Sequence, residues 1–125
     1  MVITLVAVDC DGTADAAPTI FLSLMQALRA AGHRVVVITG DSATIVTQQS
    51  LEDKATYLQG LGLGDAYDEL VVIADPPHEA KAQWLKDNGA DLLIDNDRQN
   101  AELASASCLV LLPWATRVGN KNGGE

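Results

Sequence analysis

The sequence has few aromatic residues, few cysteines and no long apolar run. Aromatic residues make up 4% of the 125 positions, so the core has to be aliphatic. The two cysteines, Cys10 and Cys108, fall beside or within predicted strands, which favours buried thiols in a reducing cytoplasm over a disulfide. No apolar run reaches the roughly 18 residues of a membrane helix, and the first five residues lack the basic stretch of a signal peptide. We therefore expect a cytoplasmic protein without a membrane partner.

Basic residues are scarce as well. Lys and Arg number 8 against 17 Asp and Glu, which gives a formal net charge of -9. An extended nucleic-acid surface requires clustered cations, so this charge argues against such a contact. It remains compatible with a small phosphorylated substrate held through a metal ion.

What the chain does contain is an alternation of apolar and helical segments. Hydrophobic residues make up 48% of the sequence, which together with the lack of aromatics is typical of a buried parallel sheet covered by helices. The pattern predicts an α/β fold, a doubly wound parallel sheet of about five strands. Strands are expected at residues 2–8, 34–38, 70–74, 91–95 and 108–112, and helices at residues 20–31, 43–59, 78–88 and 98–106.

The length of the chain is that of one domain, which we place at residues 1–117. Residues 118–125 are rich in Gly and Asn and are predicted to form a disordered tail. Asp41 and Ser42 are expected to cap the second helix rather than to bind substrate.

The most informative segment is the first predicted strand and the turn that follows it. Its apolar run ends in Asp9 and Asp11, one residue apart, followed by Gly12 and Thr13. Gly12 allows a tight turn, and two adjacent carboxylates repel each other unless a cation or a shared proton relieves them. Such a pair at a strand end indicates a metal site or a nucleophile beside an acid.

Two further predicted strands end in polar residues. The second is followed by Thr39–Gly40 and the fourth by Asp95–Asp97, while Lys81 opens the helix before the fourth strand. Because ligands bind at the carboxyl ends of parallel strands, these side chains should meet at one edge of the sheet. Together they can bind a divalent cation and a phosphoryl group.

The order of these motifs resembles the haloacid dehalogenase (HAD) superfamily of phosphotransferases. The matching elements are Asp-x-Asp-Gly-Thr, a strand followed by Thr-Gly, a lysine, and a strand followed by Asp-Asn, and the resemblance covers residues 2–112. It implies a Rossmann-like HAD core, Mg²⁺ as cofactor and an aspartyl-phosphate intermediate. An Asp at position 11 is similar to the phosphatase branch, so the implied activity is hydrolysis of phosphate monoesters.

The resemblance also implies a role for each matching residue. Asp9 is the catalytic nucleophile, and Asp11 is the acid and then the base. Both are metal ligands, Asp11 through its backbone carbonyl. Thr39, Gly40 and Lys81 bind the phosphoryl group, with Thr39 hydrogen-bonding its oxygens and Lys81 neutralising its charge.

The fourth motif departs from the commonest family pattern. Many members carry two adjacent aspartates where this chain has Asp95 and Asn96. Asn96 is our first choice as metal ligand because its amide oxygen can bind Mg²⁺. Asp95 either ligates the metal or orients Lys81, and Asp97 is the third candidate.

Several other residues keep two interpretations. Lys86 is the alternative to Lys81 as the cation of the site. His78 suits a surface position at the start of its helix better than the role of a base. Arg98 could touch the substrate, and Trp114 could be a surface contact or a cover of the core.

The motif spacing leaves no room for a cap domain. Few residues separate Asp11 from the helix that starts near Pro18, and only one helix and one strand fit between Thr39 and Lys81. An open site suits a polynucleotide end, or a small sugar phosphate covered by a neighbouring subunit of an oligomer. Because the negative charge opposes a long nucleic-acid contact, we favour a nucleotide or another short phosphate ester.

Two other protein classes share this outline. One is a non-catalytic binding module on the same fold, which the intact Asp9, Asp11, Thr39 and Lys81 argue against. The other is a receiver domain with an acidic pocket. Its lysine should follow the last strand, whereas Lys81 precedes the fourth.

Overall fold

The computed structural model describes residues 4–113. Strands and helices alternate along this range, with one short 3₁₀ turn (Ala14–Ala16) before the first helix. The strands are β1 (Leu5–Val8), β2 (Arg34–Gly40), β3 (Glu69–Ile73), β4 (Leu92–Ile94) and β5 (Leu109–Leu111). The helices are α1 (Pro18–Ala30), α2 (Gln48–Gly60), α3 (Pro77–Asp87) and α4 (Arg98–Ala104).

The five strands form one parallel sheet in the order β3-β2-β1-β4-β5. The chain winds outward from β1 to β3 and then crosses back through α3 to β4, on the other side of β1. The predicted doubly wound parallel α/β sheet is confirmed, and the architecture is Rossmann-like. Because the connections leave β1 and β4 in opposite directions, a crevice opens between the carboxyl ends of these two strands.

The strand order also separates this chain from receiver domains. Those domains have the order 2-1-3-4-5, in which the first strand lies second from one edge. Here β1 lies in the centre of the sheet. The topology therefore contradicts the receiver alternative.

Alternating side chains of the central strands build a core on each face of the sheet. Val6 and Val8 of β1 face α1 and α2 and pack with their apolar residues. Ala7 faces the opposite way and belongs to the core formed with α3 and α4. The molecule thus has three layers, and β1 is covered on both faces as expected for a central parallel strand.

The same glycine motif ends three of the helices. Gly32, Gly62 and Gly89 follow α1, α2 and α3 by two residues, with φ angles of 95°, 85° and 66°, a region that glycine adopts without strain. The next residue then donates its N–H to a carbonyl five residues back, as His33 does to Leu28 at 3.0 Å. At each of these glycine-containing helix ends the chain turns back to the amino edge of the sheet, where the next strand begins.

The prediction that the second helix begins at residue 43 is wrong. Helix α2 begins at Gln48, and its N-cap is Thr47, whose hydroxyl accepts a hydrogen bond from the N–H of Ser50 at 3.1 Å. Asp41 and Ser42 therefore do not cap this helix. The apolar residues between them and Thr47 suggested a helical face, but Ile45 is 73% exposed in a loop.

The other expected elements lie within a few residues of their observed bounds. Cys10 is buried, Cys108 is partly buried, and both are free. Trp114 and the tail predicted at residues 118–125 lie outside the described residues. Within residues 4–113, no helix combines the length and the apolar character needed to cross a membrane.

The end of β2 packs closely against the start of α3. A Cβ atom at Gly40 would lie 3.1 Å from Cβ and 3.2 Å from Cγ of Pro77. We expect Gly40→Ala to lower the free energy of unfolding by about 1–3 kcal/mol, because strand and helix must separate to fit the methyl group. Urea unfolding at constant m-value measures the change.

Gly60 provides the matched control. It is the last residue of α2, and a Cβ atom there would meet no heavy atom within 4 Å. Gly60→Ala should leave the stability unchanged or raise it by up to about 1 kcal/mol. Equal losses in the two variants would contradict the close packing at Gly40.

Candidate active site

Polar side chains from four chain segments meet at the carboxyl edge of the sheet. Asp9 follows β1, Asp95 follows β4, Thr39 lies near the end of β2, and Lys81 comes from α3, which crosses between β3 and β4. All four residues are buried. The fold thus brings Asp9, Lys81 and Asp95 together at the crevice between β1 and β4. It places Thr39 near the end of the adjacent strand β2.

Lys81 lies between two carboxylates. Its Nζ donates hydrogen bonds to Oδ1 of Asp9 and to Oδ2 of Asp95, both at 2.9 Å. Lys81 is 2% exposed, Asp9 is 5% exposed and Asp95 is 0% exposed. A lysine is almost never fully buried without partners, so the ammonium and the two carboxylates depend on each other in this position.

This cluster holds one positive charge for two carboxylates. Burial raises the pKa of Asp9 to about 7, because the opposing effect of Lys81 is partly cancelled by Asp95. Burial alone would lower the pKa of Lys81, but the two carboxylates outweigh it and raise that pKa. Lys81 therefore stays charged, and a further cation beside Asp9 would favour its ionised form at neutral pH.

Thr13 joins the turn after β1 to the turn after β4. Its Oγ1 donates to Oδ2 of Asp9 at 3.1 Å and accepts a hydrogen bond from the backbone N–H of Asn96 at 3.0 Å. Thr13 is completely buried. The sequence reasoning gave this residue no role of its own, although its place in the Asp-x-Asp-Gly-Thr motif was a signal for one.

Asn100 was also missed, and it extends the hydrogen-bond network to the rim of the site. Its Nδ2 donates to Oδ2 of Asp95 at 2.9 Å, and its Oδ1 is hydrogen-bonded to Nδ1 of His78. Because the Asn100 oxygen can only accept, Nδ1 of His78 carries the hydrogen. Nothing in the sequence marked Asn100 except its helical spacing from Asp97, whose Oδ1 accepts from the Asn100 N–H at 2.9 Å.

Asp11 has surroundings unlike those of Asp9. Its side chain is 60% exposed, and its Oδ1 lies 3.3 Å from Nζ of Lys54 on α2. These two carboxylates, with one residue between them, thus differ in solvation and in the cation that they contact. The partner Lys54 was not predicted, because only the packing of α2 against the sheet brings it close to Asp11.

Thr39 and Gly40 lie at the end of β2, where Gly40 lines the cleft next to the cluster and Thr39 is not among the described residues of its lining. Oγ1 of Thr39 is buried and has no hydrogen-bond partner among the described residues, an arrangement that costs free energy unless a ligand supplies the partner. A cleft of about 250 Å³, which we call the small cleft, is lined in part by Asp9, Asp11, Gly40 and Lys81.

The three candidate metal ligands after β4 have different environments. Oδ2 of Asp95 accepts from Lys81 and Asn100, and its Oδ1 accepts from the N–H of Asp97 at 2.9 Å. Asp97 is the N-cap of α4. Asn96 is partly buried, and its backbone N–H donates to Oγ1 of Thr13. These contacts favour Asp95 as the residue that orients Lys81, and the choice of Asn96 as metal ligand stays a prediction.

The alternative cation and the candidate substrate contacts differ in whether they line the small cleft. His78 contributes to the small cleft. Lys86 and Arg98 are exposed on α3 and α4, and neither belongs to the lining of the small cleft as the described residues form it. Of the two lysines predicted as the cation, Lys81 is therefore the one that the fold places at the small cleft.

The donor set at Asp9 suits a hard divalent cation. Within residues 4–113, each carboxylate oxygen of Asp9 accepts one side-chain hydrogen bond, and a carboxylate has about four lone-pair sites. Lone pairs therefore remain for a metal. Oxygen donors such as these, with the carbonyl of Asp11, are of the kind that Mg²⁺ prefers.

A second group of possible metal ligands lies on the outer side of this turn. One ligand atom each of Cys10, Asp11 and Asp15 falls within 4.8 Å of the others. Burial, aided by nearby carboxylates, raises the pKa of the Cys10 thiol to about 12, and a protonated thiol is a poor ligand. Asp15 also accepts hydrogen bonds from the N–H of Gly12 and the hydroxyl of Tyr57, both at 2.8 Å. The donors at Asp9 fit Mg²⁺ better.

Comparisons with known proteins add no relative. No protein-family model matches the chain, and no curated protein matches it. The chemistry of the site therefore rests on the geometry of its own residues.

Removal of the central ammonium should destabilise the protein. Lys81→Met leaves Asp9 and Asp95 buried without their cation, and breaking a buried ion pair costs about 3–5 kcal/mol. We expect a loss of this size in urea unfolding at pH 8 with a chelator present. The loss should be smaller at pH 5, where protonation removes the charge of Asp9, whose pKa lies near 7 in the intact cluster.

Lys86→Met is the control on the same helix. Lys86 is exposed, so this variant should change the stability by less than about 0.5 kcal/mol. If Lys81→Met cost no more than its control, the ion-pair cluster would not have the structural role assigned to it.

Proposed function

We propose that the chain is a Mg²⁺-dependent phosphomonoester hydrolase that acts through an aspartyl-phosphate on Asp9, as a capless, phosphatase-type member of the haloacid dehalogenase superfamily. The observation that carries the proposal is the buried Asp9–Lys81–Asp95 cluster at the carboxyl edge of the sheet, with a solvated Asp11 beside it. Two carboxylates in such different environments suit two different catalytic tasks.

In the proposed reaction a carboxylate oxygen of Asp9 attacks phosphorus, and the bond from phosphorus to the leaving oxygen breaks. Asp11 donates its proton to the leaving oxygen. As a carboxylate it then takes a proton from the water that attacks phosphorus and releases Asp9. Both residues contribute to the small cleft, and the exposure of Asp11 leaves room for the leaving group and later for the water.

Lys81, Thr39 and Gly40 would bind the phosphoryl group. Nζ of Lys81 has three N–H donors, of which Asp9 and Asp95 use two. Oγ1 of Thr39 is a buried hydroxyl without a partner among the described residues. An ammonium hydrogen and a hydroxyl are donors of the kind that stabilise the equatorial oxygens of a phosphoryl group.

The carboxylate of Asp9, the carbonyl of Asp11 and the side chain of Asn96 would hold Mg²⁺, with Asp95 as the alternative ligand. When bound there, the ion would reduce the repulsion between the phosphoryl group and the carboxylate nucleophile. The raised pKa of Asp9, about 7, supports this assignment, because a nearby cation keeps such a carboxyl ionised at neutral pH.

For the substrate we propose a nucleotide or another short phosphate ester. The connections at the carboxyl edge of the described residues carry no inserted domain, so the clefts open to the surface. A net charge of -9 opposes an extended polynucleotide contact. A polynucleotide end, and a small sugar phosphate under a lid from a neighbouring subunit, are the alternatives, and we propose that the reaction takes place in the cytoplasm.

Purified protein with Mg²⁺ should release phosphate from an aryl phosphate. Asp9→Asn and Asp11→Asn should each lower the rate by at least about 100-fold, the usual effect of removing a nucleophile or a general acid. Asp87→Asn, an exposed carboxylate at the far end of α3, should stay within about twofold of the original rate.

Full activity in Asp9→Asn would end this proposal. If the protein releases no phosphate, and Mg²⁺ with beryllium trifluoride fails to raise its melting temperature, the non-catalytic binding module is the better description. A ligand that binds only the folded state raises that temperature, so a competent site should respond.

Mg²⁺ binding should strengthen as the pH rises through about 7, because the cation competes with the proton on Asp9, whose pKa burial raises to about 7. The thermal shift caused by Mg²⁺ should grow between pH 6 and pH 8 and should be small at both values in Asp9→Asn. Asn96→Ala should reduce this shift more than Asp97→Ala. An undiminished shift in Asp9→Asn would place the ion elsewhere, for example at Asp15.

A further inference from the structure

A second, larger cleft opens beside the small cleft. It has a volume of about 480 Å³ and lies between the loop after β2 and one face of α2. The two clefts share Asp11, Gly40 and Asp41. The proposed acid Asp11 therefore lies where they join, and a group attached to the oxygen that it protonates would extend into the larger cleft.

Helix α2 supplies one wall of the larger cleft. Ser50, Asp53, Lys54 and Tyr57 all contribute to the lining. Their spacing of three and four residues places them on one face of the helix. The same face carries Lys54, whose ammonium pairs with Asp11. This ion pair joins the wall of the larger cleft to the turn after β1.

Tyr57 presents an anchored aromatic surface in this wall. Its hydroxyl donates to Oδ2 of Asp15 at 2.8 Å, and this hydrogen bond raises the pKa of Tyr57 to about 12. The residue is 45% exposed, and Nζ of Lys54 lies 5.4 Å from the ring centroid. A neutral, anchored ring of this kind offers a stacking face at a low cost in side-chain entropy.

The charges of the larger cleft are mostly negative. Asp41 and Asp53 contribute carboxylates, and hydrogen bonds, chiefly from Ser50, lower the pKa of Asp41. Lys54 is the cation among the described lining residues, and Asp11 is its partner at 3.3 Å. Such a cleft accepts hydrogen bonds from hydroxyl groups and repels a second phosphate.

We infer that the larger cleft binds the leaving group of the substrate, and that this group is uncharged, carries several hydroxyl groups and stacks on Tyr57, as a nucleoside or a sugar does. This inference rests on the proposed function. It assigns Asp53 and Tyr57 as specificity-determining residues. Monoesters with one phosphate are accepted, whereas esters with a second phosphate on the leaving group are rejected.

The test compares matched pairs of substrates. A nucleoside 5′-monophosphate is compared with its 3′,5′-bisphosphate, and a hexose 6-phosphate with its 1,6-bisphosphate. In the pair that is hydrolysed with the higher kcat/KM, we expect the monophosphate to be favoured by about tenfold or more, because like charges repel at close range. The pair with the higher kcat/KM identifies the leaving group as a nucleoside or a sugar.

Two neighbouring charge reversals on α2 distinguish the effect of charge in the cleft from the effect of the net charge of the protein. Asp53→Lys and Glu52→Lys change the net charge equally, but Glu52 is exposed outside the described lining of the cleft. Asp53→Lys should reduce the preference for the monophosphate to about twofold or reverse it, since the repulsion becomes attraction. Glu52→Lys should leave the preference within about twofold of its original value, and Tyr57→Leu should raise KM about fivefold through lost stacking.

Equal effects of the two charge reversals, or equal use of monophosphates and bisphosphates by the unmodified protein, would overturn the inference. Binding to Asp9→Asn, measured by thermal shift, distinguishes its failure from that of the proposed function. One outcome supports the cleft but not the hydrolase. In it no ester is hydrolysed, a monophosphate stabilises Asp9→Asn more than its bisphosphate does, and adding Asp53→Lys removes this difference. If neither compound stabilises the variant and no ester is hydrolysed, both proposals fall.

Discussion

The ammonium of Lys81 is the group on which the arrangement of the site depends. Asp9 and Asp95 follow adjacent parallel strands, so the fold forces two carboxylates together in a region where the residues are 5% exposed or less. Without a cation between them, at least one would have to take up a proton. Helix α3 supplies that cation because the crossover from β3 to β4 carries it over the carboxyl ends of the central strands.

A buried ion pair is seldom more stable than well-packed apolar residues of the same volume. The Asp9–Lys81–Asp95 cluster is therefore costly as a purely structural device, and further residues are committed to holding it. Thr13 fixes one carboxylate, and Asn100 fixes the other. These buried polar groups lie at the switch point of the sheet, where ligands bind in such folds. Their position therefore supports the proposed catalytic role over a purely structural one.

In the proposed function, chemistry and specificity fall on different parts of the molecule. The buried cluster lies at the ends of strands, where the sheet holds its atoms rigidly, whereas the larger cleft is formed by a loop and by helix α2. Asp11 connects the two, since it shares a turn with Asp9 and an ion pair with Lys54. If both proposals hold, changes on the face of α2 alter the group that is bound without disturbing the proposed nucleophile Asp9.

The sequence by itself determined the alternation of strands and helices, the parallel sheet and most of the charged groups at its carboxyl edge, because apolar periodicity, strand-end aspartates and glycine stops are local signals. It misplaced the start of α2, since the exposed Ile45 mimicked part of a helical face. Only the tertiary structure decided the partners: Lys54 for Asp11, Asn100 for Asp95 and Thr13 between two turns. These contacts join residues that are brought together by strand order and helix packing, and no local pattern in the chain encodes which distant side chain arrives beside which carboxylate.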